Sequence, residues 1–242
     1  QQRKHVAPGT KAPPPVSRGA ADHFGLRIRK NPKDAEALLR LGFLTARAAA
    51  FDAQSGARPD RDLLRRAAEA RAADARFWYQ LSFASAEGSR LSSEVDENPR
   101  RRALEKSISL SPSAAAELEL ADYYLRRYEN FKKTGRHLGR ARTRNPDSLA
   151  VKLLDVNLSA ARGDSSAALL AASNLVRFNP NDAGVRRLRA RLLSESDNPA
   201  RAAEDYAAAL KHDASDRMLN EARTVFEQSG QSYRSLELLK QL

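Results

Sequence analysis

The sequence predicts an all-α protein made of stacked helical hairpins, and three observations carry that expectation. The apolar 41% of the chain is mostly Ala and Leu, with aromatics at only 6% and few Val or Ile, a composition that favours helices over strands. Helix-stopping pairs recur at Asn31-Pro32, Ser111-Pro112, Asn145-Pro146 and Asn179-Pro180. Pro112, Pro146 and Pro180 are separated by 34 and 34, and Pro32 to Pro112 is 80, two periods of 40 that meet at Ala72. Another 34 residues lead to Ala214, inside the turn-like His212-Asp213-Ala214-Ser215-Asp216. Two residues beyond each mark stand Asp34, Asp74, Ser148, Asp182 and Asp216, whose side chains can accept an unpaired N–H at a helix start; only Ala114 departs. A stop followed by a cap at a sustained spacing marks an internal repeat.

In chain order, residues 1–19 end in Ala-Pro-Pro-Pro-Val-Ser-Arg-Gly and lack an apolar period, so a basic, Pro-rich linker or disordered arm is expected there. A first helix is expected over 20–30, with Phe24 and Ile28 on one face. Repeats follow at about 34–73, 74–113, 114–147, 148–181 and 182–215, each wide enough for two helices and a short turn. Gly163-Asp164 divides Val151–Arg162 from Ser165–Phe178, and Ser196-Asp197-Asn198-Pro199 divides the next period, with Pro199 suited to open a helix. The two longer periods carry about six extra residues each, placed by Gly56 and Pro59 and by Gly88 to Pro99, which should emerge as loops on one edge. A terminal hairpin is expected over 216–242, divided at Gly230, with Tyr233, Leu236 and Leu239 covering the last core.

Several function classes fall to the inventory. The absence of Cys removes disulfides, thiolate nucleophiles and Cys-based metal sites. His5, His23, His137 and His212 are isolated, no glycine-rich phosphate loop occurs, and the carboxylates read as caps and surface groups, so neither catalysis, a cofactor nor a metal site is expected. No apolar run is long enough to span a membrane. The start at Gln1 without Met points to a processed product or an excised fragment, with any anchor lying upstream. The compartment stays open between cytoplasm and periplasm.

Charge is unevenly spread. Residues 1–30 hold seven basic side chains against the single acid Asp22, so half of the formal net charge of +12 sits there. A second concentration lies between Arg126 and Arg144, where Glu129 is the one acid among eight basic residues. Lys132, Arg136, Arg140 and Arg144 fall at successive intervals of four, a drifting stripe on one helix face, with Lys133 and Arg142 beside it. Such a stripe fits an acidic protein, anionic lipid or nucleic acid, and equally a solvated outer face.

The repeats resemble the tetratricopeptide repeat family. Ala183 to Asp216 matches best, with small Ala190, Ala202 and Ala209 at helix crossings, then Tyr206, Leu210 and Asp213. Asp34-Ala-Glu-Ala-Leu-Leu-Arg-Leu-Gly42 is a family-like opening; Trp78 with Leu81 and Leu118 with Ala121 repeat its spacing, and Ala103 to Pro112 looks like a second helix and its exit. The resemblance covers about 20–242 and implies a right-handed α-solenoid of antiparallel hairpins acting as a scaffold or adaptor. It places the first helix of each repeat on a partner-binding groove lined by Leu39, Phe43, Tyr79, Phe83, Glu119, Tyr123, Arg126, Asn157, Arg187 and Arg191. That groove is aromatic in its first half and polar and basic in its second, which suits a protein or peptide of acidic character, sought along the first three repeats. The same aromatics can instead pack between repeats. A C-terminal carboxylate clamp is not expected, since Leu188, Met218 and Ala222 stand where its polar residues belong. Lys152, Asp155, Arg186 and Arg189 occupy places where the family has large apolar residues, and the apolar sets there, Val151, Leu154, Leu158 and Val185, Leu188, Leu192, are shifted back by one, which leaves two rotations about 100° apart for those helices.

Overall fold

The computed structural model describes residues 18–51, 61–89, 99–231, 233, 234 and 237, and every regular element among them is an α-helix. In order these are α1 Arg18–Lys30, α2 Ala35–Phe51, α3 Arg61–Ala70, α4 Ala75–Ser89, α5 Pro99–Leu110 and α6 Ala114–Tyr128. Then come α7 Phe131–Arg144, α8 Leu149–Ala161, α9 Ser165–Phe178, α10 Ala183–Glu195, α11 Pro199–Ala209 and α12 Asp216–Gln228. The expected all-α helical repeat fold is the one the chain adopts. Most of the expected arm and both edge insertions (52–60 and 90–98) lie outside the described residues, although Arg18 and Gly19 belong to α1. The chain divides into two units between Ala116 and Glu117.

In the first unit α1 packs on α2, α2 on α3 and α4, and α4 on α5. Asp34 shows why the corner between α1 and α2 is sharp. Its carboxylate accepts the Ala37 N–H at 3.1 Å and both forks of Arg27, Nε at 2.9 Å and a terminal nitrogen at 3.1 Å, so one side chain caps α2 and anchors the end of α1. Asp74 caps α4 in the same way through the N–H of Phe77 at 3.1 Å. Between these corners Leu38, Leu63, Ala67, Phe77, Leu81 and Ala103 make one core. Gly42 permits the α2–α3 crossing: a Cβ there would lie 2.5 Å from the Leu64 Cδ2. The Ser107 hydroxyl donates to the Ala75 carbonyl at 2.7 Å and pins α5 to the start of α4.

In the second unit α7 through α12 each pack on the next helix in sequence, as the alternation of short turns and apolar faces requires. Ser148 and Asp182 cap α8 and α10 through Val151 N at 3.4 Å and Val185 N at 2.9 Å. Asp216 does not act as a cap: it sits in the first turn of α12, one residue inside Ser215. Gly163 and Gly230 take φ of +89° and +75°, the left-handed turn that glycine adopts without a Cβ penalty.

The rotation of α8 and α10 is settled by where their charges go. Val151, Leu154, Leu158, Val185, Leu188 and Leu192 are all buried. Arg186 and Arg189 turn instead toward α11, where Asp205, 2% exposed, receives both. Arg189 donates through two nitrogens at 2.6 Å each, and Arg186 through one at 3.0 Å. On α8, Asp155 pairs with Arg142 of α7 at 2.7 Å.

The chain end differs from expectation at Tyr233, which is 60% exposed rather than covering a core; Leu236 and Leu239 lie outside the described residues. Arg234 spans the Phe226 and Tyr233 rings at 5.9 and 5.8 Å. One further residue has no packing reason. Gly139, inside α7, would place a Cβ in open space, although an interior glycine costs a helix about 1 kcal/mol relative to alanine.

Asp205→Ala leaves two partly buried guanidinium groups without their carboxylate. It is expected to lower unfolding free energy by about 3–5 kcal/mol, measured by urea denaturation, with Asp205→Asn between it and wild type. A loss under about 1 kcal/mol would show that the α10 register is held by its leucines alone.

Candidate functional site

The second unit carries a surface groove built from the helices that open each hairpin. A cavity of about 370 Å³ lies between α6, α8, α10 and the start of α12. A recess of about 290 Å³ shares Asp122, Arg126, Asn157 and Arg191 with it. From α8 come Ala150, Leu153, Leu154, Ala160 and Ala161, with Asn157 as that helix's one polar contribution. Glu119, Asp122 and Arg126 of α6 form one charged flank; Arg187, Arg191 and Glu195 of α10, with Arg217 of α12, form the other.

Each arginine here is already matched by a group of the chain. Arg126 donates to Asp122 at 2.6 Å. Arg187 grips Glu221 with two bonds of 2.6 Å, and Arg217 reaches the same carboxylate at 3.1 Å. Arg191 donates to the Asn157 carbonyl oxygen at 2.5 Å and lies 3.5 Å from Glu195. The Arg187 hydrogen bonds, opposed by burial and helped by Arg217, hold Glu221 down at about 2 from an ordinary 4.5. Burial first, then the Glu221 charge and the bond its hydroxyl donates to it at 3.3 Å, push Tyr206 up to about 12. The groove therefore displays both signs rather than the basic surface expected from its arginines alone.

Arg126, Asn157, Arg187 and Arg191 are thus brought together, as the resemblance implied. Leu39 and Tyr123 are corrections: at 7% and 5% exposed they belong to the interior, because their helices turn those faces inward. Phe43 is half-buried against the first unit's core. Tyr79 is half-buried too, edge-on to Phe83 at 5.0 Å, and Phe83 alone of the four first-unit positions is exposed. Asp122, Leu153, Arg217 and Glu221 were not foreseen. A signal for two of these contacts existed, since Arg187–Glu221 and Asn157–Arg191 each join residues 34 apart, the repeat period itself.

The α7 stripe has a mixed fate. Lys132 and Arg136 are exposed and form no ion pair among the described residues. The Lys133 ammonium sits 4.7 Å from the Tyr124 ring centroid. Arg140 and Arg144 lean to 3.8 and 4.0 Å from Glu117, a carboxylate 1% exposed whose other oxygen lies 2.6 Å from His137 Nδ1. Among the described residues no cluster of His, Asp or Glu is arranged to hold a metal, and no helix is long and apolar enough to cross a membrane.

Comparison with solved structures places this architecture. A tetratricopeptide repeat protein from Parabacteroides merdae superposes with a TM-score of 0.69 at 15% identity, covering 93% of this chain and 87% of that one. Yeast Tom70 superposes with a TM-score of 0.60 at 15% identity, covering 88% of this chain and 47% of Tom70, so this chain spans about half its length. The hetero-tetramer Cut9–Hcn1 of the APC/C contains a chain similar at a TM-score of 0.61 and 12% identity, covering 92% of this chain and 43% of that one. No family model matches the sequence, and no curated protein matches it. At these identities the likeness concerns the fold.

Two measurements test the site's geometry. Glu221 titrates lower folded than unfolded, so its stabilisation is complete above about pH 4.5 and is lost as pH falls toward about 2. Glu221→Gln is therefore expected to narrow the stability gap to wild type across that window; a constant gap would remove the charge from the account. Phe43→Ala is expected to cost about 2–3 kcal/mol of stability, against under about 1 kcal/mol for Phe83→Ala, by thermal denaturation. Equal losses would put both rings in the core.

Proposed function

Starting from a chain whose fold is of the tetratricopeptide type, we propose that it is a non-catalytic protein–protein interaction scaffold whose second unit holds a peptide segment of a partner. The observation that carries this reading is the α8 strip, apolar apart from the neutral amide of Asn157, between two charged flanks. Such a strip accepts small or apolar side chains, while Arg126, Asn157, Arg187 and Arg191 fix orientation by hydrogen bonding. The partner segment is then one with an apolar centre and charges of both signs, because a purely acidic one would have to displace Asp122 and Glu221 from their arginines. That Cut9, in the similar structure, assembles with Hcn1 supports a scaffold role in general terms.

In the first unit, Phe83 with Tyr79 at its edge is the aromatic anchor this reading retains. An electrostatic adaptor for nucleic acid or anionic membrane, working through the basic arm and residues 126–144, is the alternative, and an accessory module of a larger protein is compatible with either.

A displayed peptide library selected on the full chain provides the test. Peptides with an apolar centre between charges are expected to be enriched, and Leu153→Glu should weaken them by about tenfold or more while keeping a cooperative melting transition, lowered by the lost packing of Leu153 on its core. If the selected peptides bind that variant as well as wild type, the groove is not their site. If what binds is lost steeply as salt rises, the electrostatic alternative takes its place.

A further inference from the structure

The outward face of α7 belongs to a different part of the second unit from the groove. Thr134, Leu138 and Ala141 form the buried face of this helix; Lys132 and Arg136 are exposed on the opposite face, and Arg140, also exposed, leans toward Glu117. At four-residue steps the row from Lys132 to Arg144 climbs about 6 Å per cation, about 18 Å in all. Among the described residues its first two members have no ion pair, and its last two share one buried carboxylate at distances of 3.8 and 4.0 Å. The row therefore carries uncompensated positive charge on a rigid helix. This is where the unit's field favours an anion, not the groove, whose arginines are matched.

What lies beside the row selects among anions. Gly135, Gly139 and Thr143 run parallel to it, also at steps of four. Around a Cβ at Gly139 there is nothing within 4 Å, and at Gly135 only the Arg162 guanidinium, 3.4 Å away. The open backbone at Gly139, next to the cation row, lets another polypeptide come close, whereas a phosphate chain or a lipid surface makes no use of it. No exposed aromatic interleaves with the row to stack bases, and no apolar side chain on this face could enter hydrocarbon.

We propose that the outward face of α7 is a second docking surface, which takes an acidic helical segment of a protein partner. The segment's backbone comes closest at Gly139. Its carboxylates, spaced one turn apart, pair with Lys132, Arg136, Arg140 and Arg144, with Arg140 and Arg144 swinging out from Glu117 to meet them. This surface uses none of the groove residues, so either reading can fail while the other stands.

The test is fluorescence anisotropy on the full chain with a labelled helical peptide carrying Glu at every fourth position. Three competitors are its Gln counterpart, a single-stranded oligonucleotide of equal charge, and phosphatidylserine vesicles. The Glu peptide is expected to bind, and its Gln counterpart to bind about tenfold more weakly or worse. Lys132→Glu with Arg136→Glu should cost about tenfold or more. Gly139→Leu should weaken binding while raising the melting temperature, a combination that loss of folding cannot produce. Leu153→Glu should change nothing. The proposal is overturned if the Glu peptide does not bind, if the charge-reversed variant binds it equally, if Gly139→Leu leaves binding intact, or if the oligonucleotide or vesicles bind more tightly.

Discussion

Every packed pair of helices in this protein depends on backbones coming close enough to exclude water with very few large side chains. Alanine makes that possible. Ala37, Ala67, Ala121, Ala141, Ala168, Ala172, Ala190, Ala202, Ala209 and Ala222 are all fully buried, and at full burial a bulkier side chain has to displace its neighbours. Leucines and a few aromatics fill the space between crossings, as Leu193, Tyr206, Leu219 and Phe226 do around Ala190 and Ala202. No hairpin of this kind buries both of its faces alone, so stability has to come from neighbours within each unit. Gly42 against Leu64 is the extreme case of the same constraint.

Thin cores of alanine specify orientation weakly, since a small side chain fits many rotations. Buried charge supplies what they lack. Asp205 accepts three bonds from Arg186 and Arg189, and Glu117 meets His137 with Arg140 and Arg144 nearby; neither carboxylate can be moved without stranding its partners. Such pairs contribute little net stability compared with an apolar replacement, but they penalise wrong registers heavily. Here they decide which face of α10 looks at α11 and which face of α7 looks at α6.

The same chemistry shapes the functional surfaces. In the groove, carboxylates from the chain's own helices meet the arginines, so that surface is marked by shape and by paired signs rather than by net charge. On α7 the internal carboxylates are too few, and positive charge is left over. A single unit thereby carries two unlike surfaces, a groove of mixed sign and a basic helix face.

Much of this was legible in the sequence. Proline-marked stops, caps two residues later and a 34-residue period determined the helices and their order, because those signals act through local backbone geometry. The period also aligned Asn157 with Arg191, and the resemblance placed Arg126, Arg187 and Arg191 on one surface. Three things were left to the tertiary structure. It sent Leu39 and Tyr123 into the interior and left Phe83 exposed where the described Phe43 and Tyr79 are half-buried, since burial depends on which helix lies opposite. It neutralised the groove through Glu221, a residue one full period away from Arg187. It also settled the rotation of α10: Val185, Leu188 and Leu192 went inward, and Asp205 of another helix received the Arg186 and Arg189 left beside them. Caps and periods are properties of a few consecutive residues; rotation, burial and charge balance belong to pairs of helices and exist only once those helices have met.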